Sequence, residues 1–254
     1  MIEAMRKNRI GSTYVASMIR EMADTKTEVI LALDVESRTK AEAVLEAVGD
    51  KLDWVKIGLQ TYLRDGPDFL YDIASSGKSI FLDLKLHDIP NTMGKAIESL
   101  AALPVKMLTL HSTAGPEALL KCAETVNQFM PETKLLAVTV LTSMNQDNLA
   151  SVGVNNLIPD QVDRLAKMAT EAGVNGIVCS PLELVRLRKI LPQSTTFVTP
   201  GIRPTGSAKG DQKRTMTPLE ASNAGANFLV IGRPILTANN PEHVLFEIQS
   251  ELEK

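Results

Sequence analysis

The segment FLDLKLHDIPNT, residues 81–92, carries the densest group of residues able to do chemistry. Asp83 and Lys85 stand two positions apart, so on a β-strand their side chains point to the same face. Lys56 closes the preceding apolar run, and Asp88 follows Asp83 by five residues. An Asp-x-Lys pair alone is also common as a plain salt bridge at a strand end. Together, however, these residues supply two cations and two anions that can alternate in space.

Alternating charges of this kind can act on a bound ligand. Buried charges persist in a protein only when they are paired and hydrogen-bonded, so such a set would keep Lys85 protonated beside the ligand. At about 4 Å and an effective dielectric near 20, one charge contact is worth roughly 4 kcal/mol. The pattern therefore predicts a site strong enough electrostatically to bias a reaction.

Eight short runs rich in Val, Ile and Leu recur along the chain and predict eight strands. Most of these runs are apolar throughout, as expected where both faces of a parallel sheet are covered. Helical patterns such as 38–50 and 159–173 lie between the runs, and glycines stand at the expected helix ends. The predicted strands are 29–34, 53–58, 79–85, 106–112, 135–141, 176–180, 196–200 and 228–232, and the glycines are Gly49, Gly77, Gly173 and Gly225.

Eight alternating β and α units without a break in composition predict an α/β fold, a (β/α)₈ TIM barrel rather than a doubly wound sheet. The length of 254 residues suits one such barrel, although it would also fit two smaller α/β domains. We expect a single barrel domain over 28–254 and a short N-terminal extension over 1–27. Residues 12–22 of this extension have the pattern of a short amphipathic helix.

Polar and charged residues cluster where the apolar runs end, which is where this fold carries its chemistry. A purely structural barrel has no reason to place them there so consistently. They are Asp34, Lys56, Asp83, Lys85, His111, Thr142, Ser143, Ser180, Arg203 and Arg233, and the two arginines belong to the segments Gly201 to Arg203 and Gly232 with Arg233.

A phosphate site is predicted in the loops after the seventh and eighth strands, its usual place in this fold. Residues 201–214 interleave glycines with basic residues, which favours a loop that closes over an anion, although a solvated loop is the alternative. After the eighth strand, Arg233 can bind a phosphate through two hydrogen bonds, and Gly232 lets the backbone approach it.

Composition excludes several other classes of protein. The formal charge of −3 leaves no basic footprint for a nucleic acid, and no apolar run approaches the roughly 20 residues of a membrane span. Cys122 and Cys179 form no CxxC pattern, which excludes a disulfide framework and a thiolate zinc site. The first residues contain no continuous apolar stretch of a secretory signal. We therefore expect a cytoplasmic protein.

The motif DLKLHDIPNT, with LALDV and VKIG before it, resembles the bacterial type of the orotidine 5′-phosphate decarboxylase family. The motifs VTVLTS, TPGIRP, GDQKR and VIGRPI continue the resemblance in order, so that it covers residues 29–254. The resemblance implies decarboxylation of orotidine 5′-monophosphate to UMP and CO₂ in de novo pyrimidine biosynthesis, without a metal or another cofactor. It also implies a homodimer.

The resemblance further implies roles for individual residues. Lys85 would be the general acid that protonates C6 of the pyrimidine, and Asp83 would lie against the substrate carboxylate. Lys56 and Asp34 would hold the ribose hydroxyls and join the charge network. Asp88, Ile89 and Thr92 would reach the partner subunit's site, Thr142 and Ser143 would meet the pyrimidine, and Arg203, Gln212, Gly232 and Arg233 would bind the phosphate.

Two other functions remain open at the level of sequence. Metal-dependent sugar-phosphate decarboxylases or synthases share the D-x-K-x-x-D motif, but they carry a Glu at the end of strand two where this chain has Lys56, which would repel the metal. A non-catalytic barrel that only binds a nucleotide is the second alternative, although an intact set of costly charges speaks against it. A start of translation at Met22 is also compatible with the sequence.

Overall fold

The structure is a computed structural model that describes residues 26–205 and 214–253 of the chain. The predicted helix over 12–22, the predicted phosphate ligand Gln212 and most of the predicted closing loop lie outside the described residues. The first strand begins at Glu28, at the start of the predicted barrel domain.

Eight parallel strands close into a barrel, each bonded to the next in sequence and the last bonded to the first. This closure confirms the predicted (β/α)₈ fold and excludes a doubly wound sheet. The strands are β1 Glu28–Ala32, β2 Trp54–Gly58, β3 Ser79–Leu86, β4 Val105–His111, β5 Lys134–Val138, β6 Gly176–Val178, β7 Thr196–Thr199 and β8 Phe228–Ile231.

Helices follow the strands and cover the outside of the barrel. The predictions of helices over 38–50 and 159–173 are confirmed, with ends that differ by one or two residues. Within the part of the chain that the structure describes, no helix is long and apolar enough to cross a membrane. The helices are α1 Arg38–Val48, α2 Leu59–Ser75, α3 Pro90–Leu100, α4 Pro116–Phe129, α5 Gln146–Ser151, α6 Ile158–Glu171, α7 Leu184–Ile190, α8 Pro218–Asn223, α9 Arg233–Leu236 and α10 Pro241–Leu252.

The apolar core has two parts. A small cluster built around Phe81, Met107 and Leu136 fills the inside of the barrel, and a larger one packs the outer faces of the strands against the helices. The larger cluster contains both cysteines, and burial raises the pKa of the Cys122 thiol to about 11 and that of Cys179 well above its ordinary value. The inward-facing side chains above the small cluster are the ones that form the site.

Candidate active site

A chain of alternating charges runs across the carboxyl ends of β1, β2 and β3. Lys56 Nζ lies 2.9 Å from Asp34 Oδ2 and 3.5 Å from Asp83 Oδ2. Lys85 Nζ donates to both oxygens of Asp83, at 2.8 and 2.9 Å. The order is therefore Asp34, Lys56, Asp83, Lys85, and every charge faces one of opposite sign.

Parallel pairing of β1, β2 and β3 explains how the first three members meet. Lys56 is paired with Ala32 on β1, and Gly58 is paired with Asp83 on β3. The two carboxylates that contact Lys56 therefore lie on either side of β2, that of Asp34 just after β1 and that of Asp83 on β3. Gly58 leaves room for the contact of Asp34 with Lys56, because a Cβ atom there would lie 2.6 Å from Asp34 Oδ1 and 3.0 Å from Lys56 Nζ.

Lys85 reaches Asp83 through an irregular strand. The pairing of β3 with β4 shifts between Leu82 and Leu86, and Lys85 has a φ of 50°. It is the one non-glycine residue with positive φ among those described. The two side chains converge as predicted, but they do so through a left-handed residue rather than through regular alternation along a strand.

Thr109 on β4 connects the two halves of this arrangement. Its hydroxyl donates to Asp83 Oδ1 at 2.9 Å and accepts a hydrogen bond from the backbone N–H of Lys85, also at 2.9 Å. The residue is completely buried. Sequence reasoning missed Thr109, although a polar residue within the apolar run 106–112 was a signal that could have revealed it.

The electrostatics of the site keep Asp83 ionised. Burial by itself would raise the pKa of this carboxyl group, but the charges of Lys56 and Lys85 act against it. Hydrogen bonds from Lys85 and Thr109 add to the charge effect, and the pKa ends below its ordinary value. Asp83 is therefore an anion throughout the neutral pH range, fixed between two ammonium groups.

His111, at the end of β4, is not a further cation of the site. Burial, together with the charges of His87 and Lys85, lowers the pKa of His111 to about 4. Its Nδ1 accepts a hydrogen bond from the backbone N–H of Thr113 at 3.3 Å. At neutral pH the imidazole is uncharged, so the positive charges next to Asp83 are those of Lys56 and Lys85, and the ammonium of Lys85 is the closer one.

Three predicted site residues lie apart from the charge chain of their own subunit. Asp88 is exposed and its Oδ1 accepts a hydrogen bond from the backbone N–H of Ile89 at 2.7 Å. Ile89 is 66% exposed, and Thr92 is exposed at the start of α3. The structure thus places Asp34, rather than Asp88, as the second anion of the chain within one subunit.

Three of the predicted phosphate ligands lie in the described segments after β7 and β8. Gly232 follows β8, and a Cβ atom there would lie 3.3 Å from the Cβ of Ala32 on β1. Arg233 is the exposed first residue of α9. Arg203 follows β7, where its backbone N–H donates to the carbonyl of Met216 at 2.9 Å and closes the base of the loop.

The predicted base-binding residues lie in the loop after β5. Thr142 is partly buried and Ser143 is exposed. This loop is tied to the end of the predicted phosphate loop by Arg214, whose guanidinium donates to the Val140 and Leu141 carbonyls, both at 3.2 Å.

Arg214 is also paired with the carboxylate of Glu183, which lies just after β6. Burial raises the pKa of Glu183, and the guanidinium acts in the opposite direction. Sequence reasoning missed Glu183 and placed Arg214 only in the motif GDQKR and in the predicted closing loop, because nothing in the spacing of these residues shows that they meet.

No group of three or more His, Cys, Asp or Glu side chains that could hold a metal ion occurs among residues 26–205 and 214–253. The acidic groups of the site, Asp34 and Asp83, are instead each in contact with Lys56. An ammonium between two carboxylates occupies the position that a cation would take and repels a second positive charge.

The closed barrel and the lysine–carboxylate chain at its carboxyl end define a barrel enzyme whose site is built from fixed charges. The chain belongs to the orotidine 5′-phosphate decarboxylase / HUMPS family, whose model matches residues 27–248. This membership confirms the resemblance that the motifs indicated.

Individual relatives agree with this assignment. The chain is 50% identical over 225 residues to orotidine 5′-phosphate decarboxylase of Opitutus terrae, which covers 89% of this chain and 98% of that protein. It is 43% identical over 234 residues to the enzyme of the same name from Vibrio vulnificus, covering 92% and 100%. The crystal structure of orotidine 5′-phosphate decarboxylase from Lactobacillus acidophilus superposes with a TM-score of 0.80 at 34% identity, covering 90% of this chain and 100% of that one.

Proposed function

We propose that this chain decarboxylates orotidine 5′-monophosphate to UMP and CO₂ in de novo pyrimidine biosynthesis, without a cofactor. The observation that carries the proposal is the contact of Lys85 Nζ with both oxygens of Asp83, at 2.8 and 2.9 Å, beside Lys56. A protonated amine held next to an ionised carboxylate is suited to a reaction that exchanges a carboxylate for a proton.

The reaction breaks the bond between C6 of the pyrimidine and the carboxylate carbon, and the electron pair stays on C6. Lys85 stabilises this developing carbanion and then transfers one proton from Nζ to C6, after which solvent protonates the amine again. Fixed charges at the site need no reorganisation during the reaction, which is how enzymes obtain much of their effect. The upper end of such effects is on the order of 20 kcal/mol.

The remaining residues hold the substrate. Asp34 and Lys56 bind the ribose hydroxyls, and Asp83 faces the substrate carboxylate. Binding energy from the phosphate and the base, far from C6, can be used to close the site around the reacting atoms. These contacts come from Thr142 and Ser143 at the base, and from Arg203, Gln212, Gly232 and Arg233 at the phosphate.

The active unit in this proposal is a homodimer. Asp88, Ile89 and Thr92 are exposed in one subunit and lie just beyond β3, beside the site. From there they reach the partner subunit's site. The two buried thiols, Cys122 and Cys179, are unpaired, which suits the reducing cytoplasm as the compartment.

The experiment follows the loss of orotidine 5′-monophosphate absorbance with EDTA-treated protein. We expect turnover in the wild type and a loss of at least about a thousandfold in Lys85→Ala, because the proton donor and the charge at C6 both disappear. Lys95→Ala is the matched control, since Lys95 is exposed and is paired with Glu98 on the same helix.

Two outcomes would overturn the proposal. Turnover that requires added Mg²⁺ would return the metal-dependent sugar-phosphate reaction as the function, and sugar phosphates would then be the substrates to assay. UMP binding without any turnover in the wild type would identify a nucleotide-binding barrel that lacks catalysis.

A further inference from the structure

The left-handed backbone of Lys85 has to be held in place by its surroundings. A residue with a side chain is unfavourable at positive φ, by about 1–2 kcal/mol, so such a residue persists only where its neighbours determine it. Lys85 has a φ of 50° at the point where β3 and β4 lose their regular pairing. A neighbouring group must therefore compensate for the cost of this backbone conformation.

The hydroxyl of Thr109 contacts both the backbone of Lys85 and the carboxylate of Asp83. It accepts a hydrogen bond from the Lys85 backbone N–H and donates its single proton to Asp83 Oδ1, each at 2.9 Å. A hydroxyl has one proton to donate, so this donation is fully used. Thr109 is completely buried, so water does not compete for either bond.

We propose that Thr109 is a positioning residue, which sets the ammonium of Lys85 and the carboxylate of Asp83 in one geometry. It does not touch the substrate. It fixes the backbone from which Lys85 extends and the orientation of the carboxylate that the ammonium contacts. This role rests on the proposed function, in which Lys85 delivers the proton to C6.

The alternative is that Thr109 only fills space in the barrel. Its neighbours on the inward face of β4 are Met107 and His111, so a side chain of this size is needed for packing in any case. The two roles differ in which part of the threonine matters. Packing depends on the methyl group and the volume, whereas positioning depends on the hydroxyl.

Four variants separate these roles. Thr109→Val keeps the volume and removes the hydroxyl, and Thr109→Ser keeps the hydroxyl and removes the methyl group. Thr109→Ala serves as a partner for Thr109→Ser, because these two differ only in the hydroxyl. Thr133→Val is the matched control, since Thr133 is also buried and its hydroxyl donates to a backbone carbonyl, that of Val105, at 2.7 Å.

We expect kcat of Thr109→Val for orotidine 5′-monophosphate to fall by about tenfold to a hundredfold, because a small displacement of a reacting group has an effect of this size. KM should change less than about threefold, since the substrate contacts remain. Thr109→Ser should keep kcat within about threefold of the wild type and exceed Thr109→Ala by about tenfold or more. Thr133→Val should lose thermal stability without losing kcat.

Unchanged kcat in Thr109→Val, or equal kcat in Thr109→Ser and Thr109→Ala, would overturn the positioning role. If Thr109→Val does not fold, the comparison of serine with alanine decides by itself. A wild type that does not decarboxylate the substrate would refute the proposed function and, with it, this inference. The wild-type assay therefore distinguishes the two failures.

Discussion

Gly58 shows that a charged site can require a residue without a side chain. It stands at the end of β2, between the carboxylate of Asp34 and the ammonium of Lys56. Its φ of −92° is open to any residue, so the backbone does not require glycine. The requirement comes from space alone, since a methyl group would overlap the Asp34 carboxylate.

We expect Gly58→Ala to lower kcat/KM by about tenfold or more. The new methyl group displaces the Asp34 carboxylate from Lys56, and the pair proposed to bind the ribose is lost with it; a tenfold effect corresponds to about 1.4 kcal/mol. Stability should fall by less than about 1 kcal/mol, because Asp34 is exposed and can turn away. Steady-state kinetics and thermal unfolding measure the two effects.

The matched control is Gly94→Ala. Gly94 lies within α3, and a methyl group there would meet only the flexible side chain of Lys121 and the hydroxyl of Thr125. Activity should be unchanged in this variant. Equal activity in Gly58→Ala and Gly94→Ala would show that the contact of Asp34 with Lys56 has no part in catalysis.

At the scale of elements, the strands were predictable because apolar runs are the direct mark of a buried parallel sheet. Each of the eight predicted runs overlaps an observed strand, and the differences lie at the ends. The irregularity at Lys85 was not predictable in this way. Its position depends on how β3 pairs with β4, which the pattern of a single strand does not contain.

The candidate site, like the strands, was predictable only in part from the sequence. Asp83, Lys85 and Lys56 could be found because charged residues inside apolar runs stand out, and the structure brings them together. Thr109 was missed although it stands out as a polar residue within an apolar run, whereas Gly58 could not be assigned, since a glycine at a strand end is ordinary until its neighbours in space are known. The contact of Arg214 with Glu183 joins residues far apart in sequence and was equally hidden.

Arg214 couples three loops at the mouth of the barrel, and we expect Arg214→Met to uncouple them. The substitution removes the bonds to the carbonyls of Val140 and Leu141 and the pairing with Glu183. Because the loops after β5 and β7 are then no longer fixed together, KM for orotidine 5′-monophosphate should rise by about tenfold, and kcat should fall less. Initial rates over a range of substrate concentrations provide the measurement.

Arg186→Met is the control for this variant. Arg186 also contacts two acidic side chains, Asp160 and Asp163, but its side chain is 48% exposed. Exposed pairs of this kind contribute about 0–1 kcal/mol, so KM should not change. A KM that stays at the wild-type value in Arg214→Met would mean that the loops are positioned without this contact.

At the scale of the whole molecule, exposed apolar side chains follow β2 and β3 in the chain and bear on the proposed homodimer. Leu59 and Leu63 are 52% and 79% exposed and lie one turn apart at the start of α2. Ile89 is exposed just before α3, next to Asp88. Exposed apolar side chains are enriched where proteins associate, so these three support the proposed homodimer.

A mixture of two inactive variants tests whether Asp88 acts across that interface. Lys85→Ala and Asp88→Ala dimers are mixed in equal amounts and allowed to exchange subunits. If Asp88 serves the partner subunit's site, each mixed dimer has one intact site, and about a quarter of wild-type activity should return, because half of the dimers are mixed.

Lys85→Ala mixed with Lys56→Ala is the control for subunit exchange. Both lysines contact Asp83 of their own chain, so no mixed dimer contains an intact site and no activity should return. Failure of the first mixture to regain activity, with exchange verified by mass, would place Asp88 outside the partner subunit's site.

The burial of both cysteines makes this protein a convenient host for chemical labels. Thiols react as thiolates, and the raised pKa values of Cys122 and Cys179 keep both thiols protonated. Their burial also keeps reagents away from them. A cysteine introduced on the surface, for example in Glu171→Cys at the exposed end of α6, is therefore the single thiol that a maleimide reagent modifies in the folded protein. Fluorescent or spin probes can be attached there without first removing the natural cysteines.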